Sequence, residues 1–147
     1  MSEAIQFDDI DSMKRNPEVE GKTGTVVDFP DNPDGTPRGM RLLAASDLNP
    51  RWKARAASIT KELARLRNAE ASNKRVRDYL AREFAECCVI EWWGWRSKGI
   101  EIPLSVEAAT ALLRQADDTY ATVDAIVWDN KNFRGERIKA VVENLEG

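Results

Sequence analysis

Apolar residues in the middle of the chain recur at alternating intervals of four and three positions, which is the period of an amphipathic helix. No Gly or Pro interrupts the chain from Trp52 to Cys88, and "NAEASNKR" (68–75) is polar where the apolar series would continue. Polar residues at successive seam positions disfavour a continuous coiled coil. The pattern of residues 50–88 therefore predicts either one long helix or two helices that meet at residues 68–75. We call this polar segment the polar waist. The apolar series is Trp52, Ala56, Ile59, Leu63, Leu66, Leu80, Phe84 and Cys87.

Residues 24–46, which precede this helix, predict a β-hairpin. "GTVVDF" is rich in β-branched and aromatic residues that favour a strand, and "PDNPDGTPRG" after it concentrates turn-forming residues. "GMRLLAAS" is a suitable return strand. Asn49 and Pro50 then signal the start of the long helix, because Asn is a preferred N-cap residue and Pro fits the first helical position.

Three tryptophans stand within four positions in "EWWGW" (91–95), where the helical period ends. "VIEWWGW" favours an extended strand, "RSKG" a turn and "IEIPLS" a second strand, which Pro103 ends because it has no N–H to donate to a ladder. Residues 89–104 therefore predict a short Trp-rich β-hairpin.

In an extended strand Trp93 and Trp95 share one face and Trp92 lies on the other. We expect Trp92 to anchor the hairpin to the helices, and Trp93 or Trp95 to be exposed to a partner. Three uses of the cluster stay open: packing within the fold, a hot spot for protein binding, and stacking of nucleobases. Trp is enriched at hot spots because it buries a large area and has one polar group.

The C-terminal part, residues 105–145, predicts helices. Ser105 suits an N-cap with Glu107 in the first turn, a second helix begins near Asp117, and a final helix begins near Phe133. Core candidates of the second helix are Tyr120, Val123, Ile126, Val127 and Trp128.

These patterns together predict that residues 1–147 form a single domain of α+β class that is mainly α-helical. Its 147 residues, 42% of them hydrophobic and 32% charged, are enough for one buried core. Residues 1–20 suggest weak order, with one helical turn around Asp8–Arg15. The start "MSEAIQFDDID" lacks the basic and apolar regions of a signal peptide, and no run reaches the roughly 20 apolar residues of a membrane span. We expect a protein of the cytoplasm with no membrane partner.

The reactive side chains exclude several kinds of chemistry. There is no histidine, which removes His-dependent triads and most zinc sites. Cys87 and Cys88 are adjacent on a helical pattern, where neighbours point about 100° apart and form no ordinary structural disulfide. Carboxylate, lysine or tyrosine chemistry survives, but nothing indicates it. We expect no catalytic residue, cofactor or metal.

Two local patterns resemble functional sites. "GKT" at Gly21–Thr23 matches the end of a phosphate-binding loop, but Asn16 stands where that motif needs Gly, and no apolar strand precedes it. A turn that leads into "GTVVDF" is the better interpretation. The pairs Asp8/Asp9 and Asp117/Asp118 have no convergent basic partner, and the second pair fits the start of a helix.

Charge is unevenly distributed along a chain of net charge −3. Residues 1–37 carry nine acids and three bases, whereas residues 51–86 carry ten bases and five acids. The basic segment is either a solvated helix or a face for an acidic partner, nucleic acid included. We consider nucleic acid the less favoured partner.

Residues 79–133 resemble the tail assembly chaperones of long-tailed (siphophage-type) bacteriophages. Members of that family show a helix, a Trp-containing strand, a polar turn, a Pro-x-Ser step, a Leu-Leu helix, a further helix and a Phe before the C-terminal helix. Here "VIEWWGW", "RSKGIEIPLS", "VEAATALL", "TYATVDAIVWD" and "KNF" follow in that order. "RLLAASDLNPRWKAR" upstream is also similar. The turn departs from the family, since "RSKG" replaces a more acidic Asp-Gly type.

The resemblance implies a non-enzymatic protein of virion morphogenesis. Such a chaperone binds the tape measure protein, keeps it soluble in the host cytoplasm until the tail tube polymerises, and is absent from the mature virion. In many relatives a programmed frameshift makes a longer form that recruits tail tube protein. The oligomeric state stays open, a homo-oligomer included. The alternative is a structural virion protein, such as a tail completion or head–tail connector subunit.

Candidate partner-binding residues combine the aromatic cluster with the helical seam and the Phe of "KNF". They are Trp92, Trp93, Trp95, Leu63, Leu66, Phe84 and Phe133.

Overall fold

A computed structural model describes residues 4–10, 13–134 and 137–139 of the protein, and the fold is α+β and mainly helical, as the sequence predicts. The helices are α1 (Pro50–Asn68), α2 (Asn73–Cys87), α3 (Val106–Gln115) and α4 (Asp117–Val127). The strands are β1 (Thr25–Phe29), β2 (Arg38–Leu42), β3 (Val89–Trp93), β4 (Arg96–Ser97), β5 (Ile100–Glu101) and β6 (Arg137–Lys139).

Four strands form one sheet in the order β3-β2-β1-β6. β1 and β2 are antiparallel, with Val27 opposite Met40, so the predicted N-terminal hairpin is confirmed. The Asn32 side chain in the connecting loop donates hydrogen bonds to Thr36 Oγ1 at 3.1 Å and to the Gly94 carbonyl at 2.8 Å. These bonds tie the loop to the chain that follows β3.

β3 joins the sheet through β2, with Trp92 opposite Met40. A second short hairpin is confirmed, but its Trp-rich character is not: β4 and β5 form it without a Trp, and the Trp-bearing β3 belongs to the sheet. Its two-residue turn has positive φ at Lys98 (51°) and Gly99 (78°), the geometry that matches the twist of the paired strands. The residue types at Val89–Trp93 favour a strand. They do not indicate which strand it pairs with, and the partner, β2, lies about 50 residues earlier in the chain.

The polar waist is a break between α1 and α2, so the two-helix alternative holds. α1 ends in a Schellman motif, in which Ala71 N–H donates to the Leu66 carbonyl and Glu70 N–H to the Arg67 carbonyl. Glu70 takes the left-handed position of this motif, with φ 54°. The Ser72 side chain then caps α2.

Asn49 begins α1 with Pro50 at the first position, as predicted. The Asn49 side chain accepts a hydrogen bond from Arg51 N–H at 3.1 Å. Its amide also donates to the carbonyls of Ala44 at 2.8 Å and Cys87 at 2.9 Å. One buried side chain therefore joins the start of α1 to the end of α2.

The hydrophobic core lies between one face of the sheet and the helices. Alternate residues of β1 and β2 point to this face, because side chains alternate along a strand. They meet the apolar faces of α2, α3 and α4. The main contributors are Val27, Phe29, Met40, Leu42, Ala81, Phe84, Leu113, Val123 and Ile126.

Beyond the core, α3 is capped by Ser105 and α4 begins at Asp117, as predicted. The final helix predicted from Phe133 is wrong over the described residues. A 3-10 turn, Asn130–Phe133, leads instead to β6, which pairs in parallel with β1. A short amphipathic pattern fits a helix and a strand equally well. Here the open edge of the sheet at β1 offers a strand something to pair with. Residues 140–147 of the predicted helical part lie outside the described residues.

The segment before β1 ends in a π-helical turn, Val19–Thr23. Glu20 within it is fully buried, and its carboxylate accepts hydrogen bonds from the Arg15 guanidinium at 2.6 and 3.1 Å and from the Ser46 hydroxyl at 2.8 Å. A buried charge requires such partners. The described ranges leave out parts of residues 1–20, so the weak order and the early helical turn stay predictions.

Candidate partner-binding surface

Trp95 is the buried anchor of the tryptophan cluster. It is 6% exposed, its Nε1–H donates to the Gly39 carbonyl at 3.0 Å, and its ring meets Phe29 edge to face at 5.3 Å. The Arg38 guanidinium lies 5.1 Å from the ring centroid on another side. Trp95 therefore leaves little surface for a partner, and its role as a partner contact stays a prediction.

Gly94 explains why the strand alternation fails after Trp93. Its φ is 80°, a left-handed value that favours glycine, and β3 ends one residue before it. A Cβ at this position would lie 2.0 Å from the Pro37 carbonyl oxygen, so the two backbones are in close approach. The chain turns here, and Trp95 enters the core instead of sharing the face of Trp93.

Trp92 is half-buried and packs against the core beside Trp95, with ring centroids 6.1 Å apart. Its Nε1–H donates to the Ile102 carbonyl at 2.9 Å. Trp92 thus joins β3 to the segment that leads into α3. The anchoring role expected of Trp92 is shared with the more deeply buried Trp95.

Trp93 keeps part of its surface accessible, as Trp92 does, but on the other face of the sheet. It is half-buried and stands opposite Gly39 on the sheet face that points away from Met40. The indole lies directly over Gly39, where an added Cβ would come within 2.4 Å of the ring. An exposed ion pair, Arg41 to Glu91 at 3.5 Å, lies on the same face. Trp93 therefore offers a rigid indole held against backbone.

The apolar seam of the helices serves the chain's own core. Leu66 is 2% exposed, and Phe84 and Phe133 are fully buried. Leu63 is partly buried against the same cluster. Leu66 of α1, Phe84 of α2 and Phe133 of the 3-10 turn are therefore packed within the fold, and their role as partner contacts stays a prediction. Only Leu63 keeps some accessible surface.

Trp128 is a surface residue that the sequence pattern assigns to the core. It is 47% exposed, because α4 ends at Val127 and the periodicity does not extend to the next position. Its ring packs edge to face on Trp52 at 5.1 Å and on Phe84 at 5.9 Å. Its Nε1–H donates to Asp124 Oδ1 at 2.8 Å. These contacts fix an exposed indole in one orientation, which lowers the entropy cost of binding a partner.

A cavity of about 470 Å³ opens between the end of β1 and the start of α4. Phe29, Pro30 and Trp95 form its apolar wall. Two of its charged groups already have partners, since Arg38 donates to the Pro30 carbonyl at 2.7 Å and Asp117 pairs with Arg77 at 2.7 Å. The volume would suit a small ligand or a partner's side chain.

The segment that resembles a phosphate-binding loop packs as a turn. A Cβ on Gly21 would lie 2.0 Å from the Leu48 carbonyl oxygen, so this glycine permits a close backbone contact within the chain. The Thr23 hydroxyl donates to the Glu18 carbonyl at 3.3 Å, and Lys22 lies 3.9 Å from the Glu18 carboxylate. β1 follows directly, which supports the interpretation as a turn.

The cysteines are buried and unpaired. Burial raises the pKa of Cys87 to about 11 and raises that of Cys88 above its ordinary value. Because the thiolate is the nucleophile and metal ligand, neither thiol is prepared to react near neutral pH. Within the described ranges, no three His, Cys, Asp or Glu side chains are grouped to hold a metal ion. No described helix is both long and apolar enough to cross a membrane.

Comparison with protein-family models, with curated proteins and with solved structures finds no match for this chain. Support for a function therefore comes from the resemblance of residues 79–133 and from the geometry of the accessible aromatic residues.

Proposed function

We propose that this chain is a non-enzymatic tail assembly chaperone that binds the tape measure protein of a long-tailed bacteriophage. The order of elements carries the proposal. α2 leads into the Trp-bearing β3, a polar hairpin turn, the Pro103-to-Ser105 step, the Leu-Leu helix α3, α4 and then Phe133. The same order carries the resemblance, except that β6 stands after Phe133 where the family has a C-terminal helix.

The surface geometry supports a binding role. Trp93 and Trp128 are held rigidly by contacts within the fold and keep exposed indole surface. A protein that shields a long helical client needs such preformed apolar anchors, because the client's own apolar stripe must be covered until it assembles. The chaperone acts in the host cytoplasm and leaves before the virion is complete. A longer frameshifted form would recruit the tail tube protein.

Quantitative mass spectrometry of infected cells and of purified virions tests the proposal. The chain should be abundant in the lysate during assembly and absent from virions, in which the tail tube protein serves as the internal control. A stoichiometric amount in virions would favour the tail completion or head–tail connector protein instead.

A further inference from the structure

α1 lies at the edge of the fold and is asymmetric in its packing. It buries a narrow stripe, Trp52, Ile59 and Leu66, and packs chiefly against α2. Residues spaced by seven lie on nearly the same side of a helix, so most of the circumference of α1 faces outward.

The bases on the two flanks of α1 differ in how many of them are paired. On the flank toward α2, Arg55 binds the buried Glu83 carboxylate through two hydrogen bonds of 2.6 Å, and Arg65 binds Glu62 at 2.7 Å. The exposed Arg51 on this flank has no ion pair among the described residues. On the other flank stand three exposed bases that form no ion pair with any described residue: Lys53, Lys61 and Arg67.

We define the basic strip as the exposed residues of that second flank. At 3.6 residues per turn they fall within a sector of about 120°. Between its bases the strip has only small side chains, which would let another helix approach closely. Its length from Lys53 to Arg67 is about 21 Å, or about four helical turns. The strip consists of Lys53, Ala57, Thr60, Lys61, Ala64 and Arg67.

Trp128 adds an apolar anchor at the N-terminal end of α1. Its ring packs against Trp52, the residue next to Lys53. Trp is the residue most often found at the centre of protein-binding hot spots. A partner that covers both features therefore needs acidic side chains along one helical edge and an apolar residue near one end.

We propose that the basic strip and Trp128 bind an acidic amphipathic helix of the partner. Carboxylates spaced three or four positions apart on that helix pair with Lys53, Lys61 and Arg67, and an apolar side chain covers the exposed indole. The identification of this helix as a segment of the tape measure protein rests on the proposed function, whereas the acidic and helical character follows from the surface itself.

A helical peptide fits this surface better than nucleic acid does. A base stacked on Trp128 would place its phosphate near Asp124, whose carboxylate holds the indole Nε1–H at 2.8 Å. The exposed Asp129 is also next in sequence. Like charges so close to a phosphate oppose binding. An acidic helix can instead place its apolar residue at the indole and its carboxylates farther along the strip.

The test uses the full chain and two synthetic peptides. One is an 18-residue amphipathic helix with Leu on one face and Glu on the other, and the second has Lys in place of each Glu. Binding is measured by titration calorimetry at low salt. The acidic peptide should bind more tightly than the basic one, and its affinity should fall as NaCl is added.

Two charge-matched triple variants test the location. Lys53→Glu/Lys61→Glu/Arg67→Glu should weaken acidic-peptide binding about tenfold or more, since three attractive contacts become repulsive. Lys14→Glu/Lys22→Glu/Lys98→Glu changes three exposed bases elsewhere by the same charge and should keep most of the affinity. All these positions are exposed, so both variants should fold, which circular dichroism checks. Trp128→Ala should also weaken binding about tenfold.

Equal loss in the two triple variants, no preference for the acidic peptide, or tighter binding of a DNA duplex through the strip would overturn the inference. Failure of the proposed function is distinguishable. If the tape measure protein co-purifies equally with both triple variants, the chaperone function stands and the strip is not its site. If the strip binds the acidic peptide but the tape measure protein never co-purifies, the acidic helical partner stands and the proposed function fails.

Discussion

At the scale of single residues, buried polar side chains connect parts of the chain that are distant in sequence. Glu20 binds Arg15 and Ser46, Glu83 on α2 binds Arg55 on α1, and Asn49 joins both helices. Each of these buried groups is paired, as a low-dielectric interior requires. Their loss should cost more than the loss of similar groups on the surface.

Asn49→Ala should lower the free energy of unfolding by about 3 kcal/mol. The change removes an N-cap, worth about 1 kcal/mol, and leaves two buried carbonyls without a donor. Urea unfolding followed by circular dichroism measures the effect. Asn68→Ala, at an exposed position in the last turn of α1, is the control and should change stability by less than about 0.5 kcal/mol. A similar loss in both variants would contradict this role of Asn49.

The buried thiols should make stability fall as the solution becomes alkaline. Burial raises the pKa of Cys87 from an ordinary 9.0 to about 11, so between these values the unfolded chain has lost a proton that the folded chain keeps. The stabilising contribution is complete below the lower pKa and disappears as the pH rises through the higher one. Urea unfolding at about pH 8 and about pH 10 should show a smaller decline in the Cys87→Ala/Cys88→Ala variant than in the wild type. Equal declines would refute the assignment to the thiols.

The role of a single residue is predictable from sequence where its neighbours in the chain decide that role. Asn49 and Ser105 are caps because their neighbours in sequence start helices, and both were identifiable from that context. The roles of Trp95 and Trp128 were not identifiable in this way. Trp95 turns inward because Gly94 takes a left-handed φ, and Trp128 is exposed because α4 ends one residue earlier.

At the scale of elements, the ends of helices and strands depend on backbone positions that a single residue controls. α1 stops at the polar waist because residues 66–71 form a Schellman motif. The left-handed position in that motif is usually glycine, but here it is Glu70.

Glu70→Gly should raise the free energy of unfolding by about 1 kcal/mol, because glycine takes the left-handed conformation without steric strain. Chemical denaturation of the purified variant measures the change. Ala64→Gly, an exposed position inside α1, is the matched control and should lower stability by about 1 kcal/mol. If both substitutions are destabilising, α1 does not end at the waist as described.

Gly94→Ala should destabilise the fold by at least about 2 kcal/mol more than Gly35→Ala. Both glycines have positive φ, 80° and 87°, so the backbone strain of alanine is similar. An alanine at Gly94 would place its Cβ 2.0 Å from the Pro37 carbonyl oxygen, whereas the space around Gly35 is open. Thermal unfolding of the two variants compares them directly. Equal melting temperatures would exclude a close approach of β3 to the first hairpin loop.

The existence of most elements was predictable from sequence, but their partners were not. Local periodicity and turn residues predict the hairpin at 24–46, the two helices around the polar waist, α3 and α4. The pairing of β3 with β2 and of β6 with β1 joins segments that are far apart in the chain. Long-range pairing depends on which edge remains open in the folded sheet, and one sequence does not encode that locally.

At the scale of the whole molecule, accessible aromatic surface lies in two places, and one of them adjoins unpaired basic charge. The fold pairs most bases of α2, but it leaves the basic strip of α1 without ion pairs among the described residues. Exposed indoles remain on the outer sheet face at Trp93 and beside α1 at Trp128. This arrangement suits a protein that binds an extended partner on more than one side.

The solubility of the tape measure protein is the measurement that tests the central claim most directly. A tape measure protein encoded in the same genome as this chain is expressed alone, with the wild-type chain, and with the Trp128→Ala variant. We predict that it is insoluble alone, soluble and co-purifying with the wild type, and less soluble with the variant. A tape measure protein that stays insoluble beside the wild-type chain, or that is soluble without forming a complex, would contradict the chaperone function.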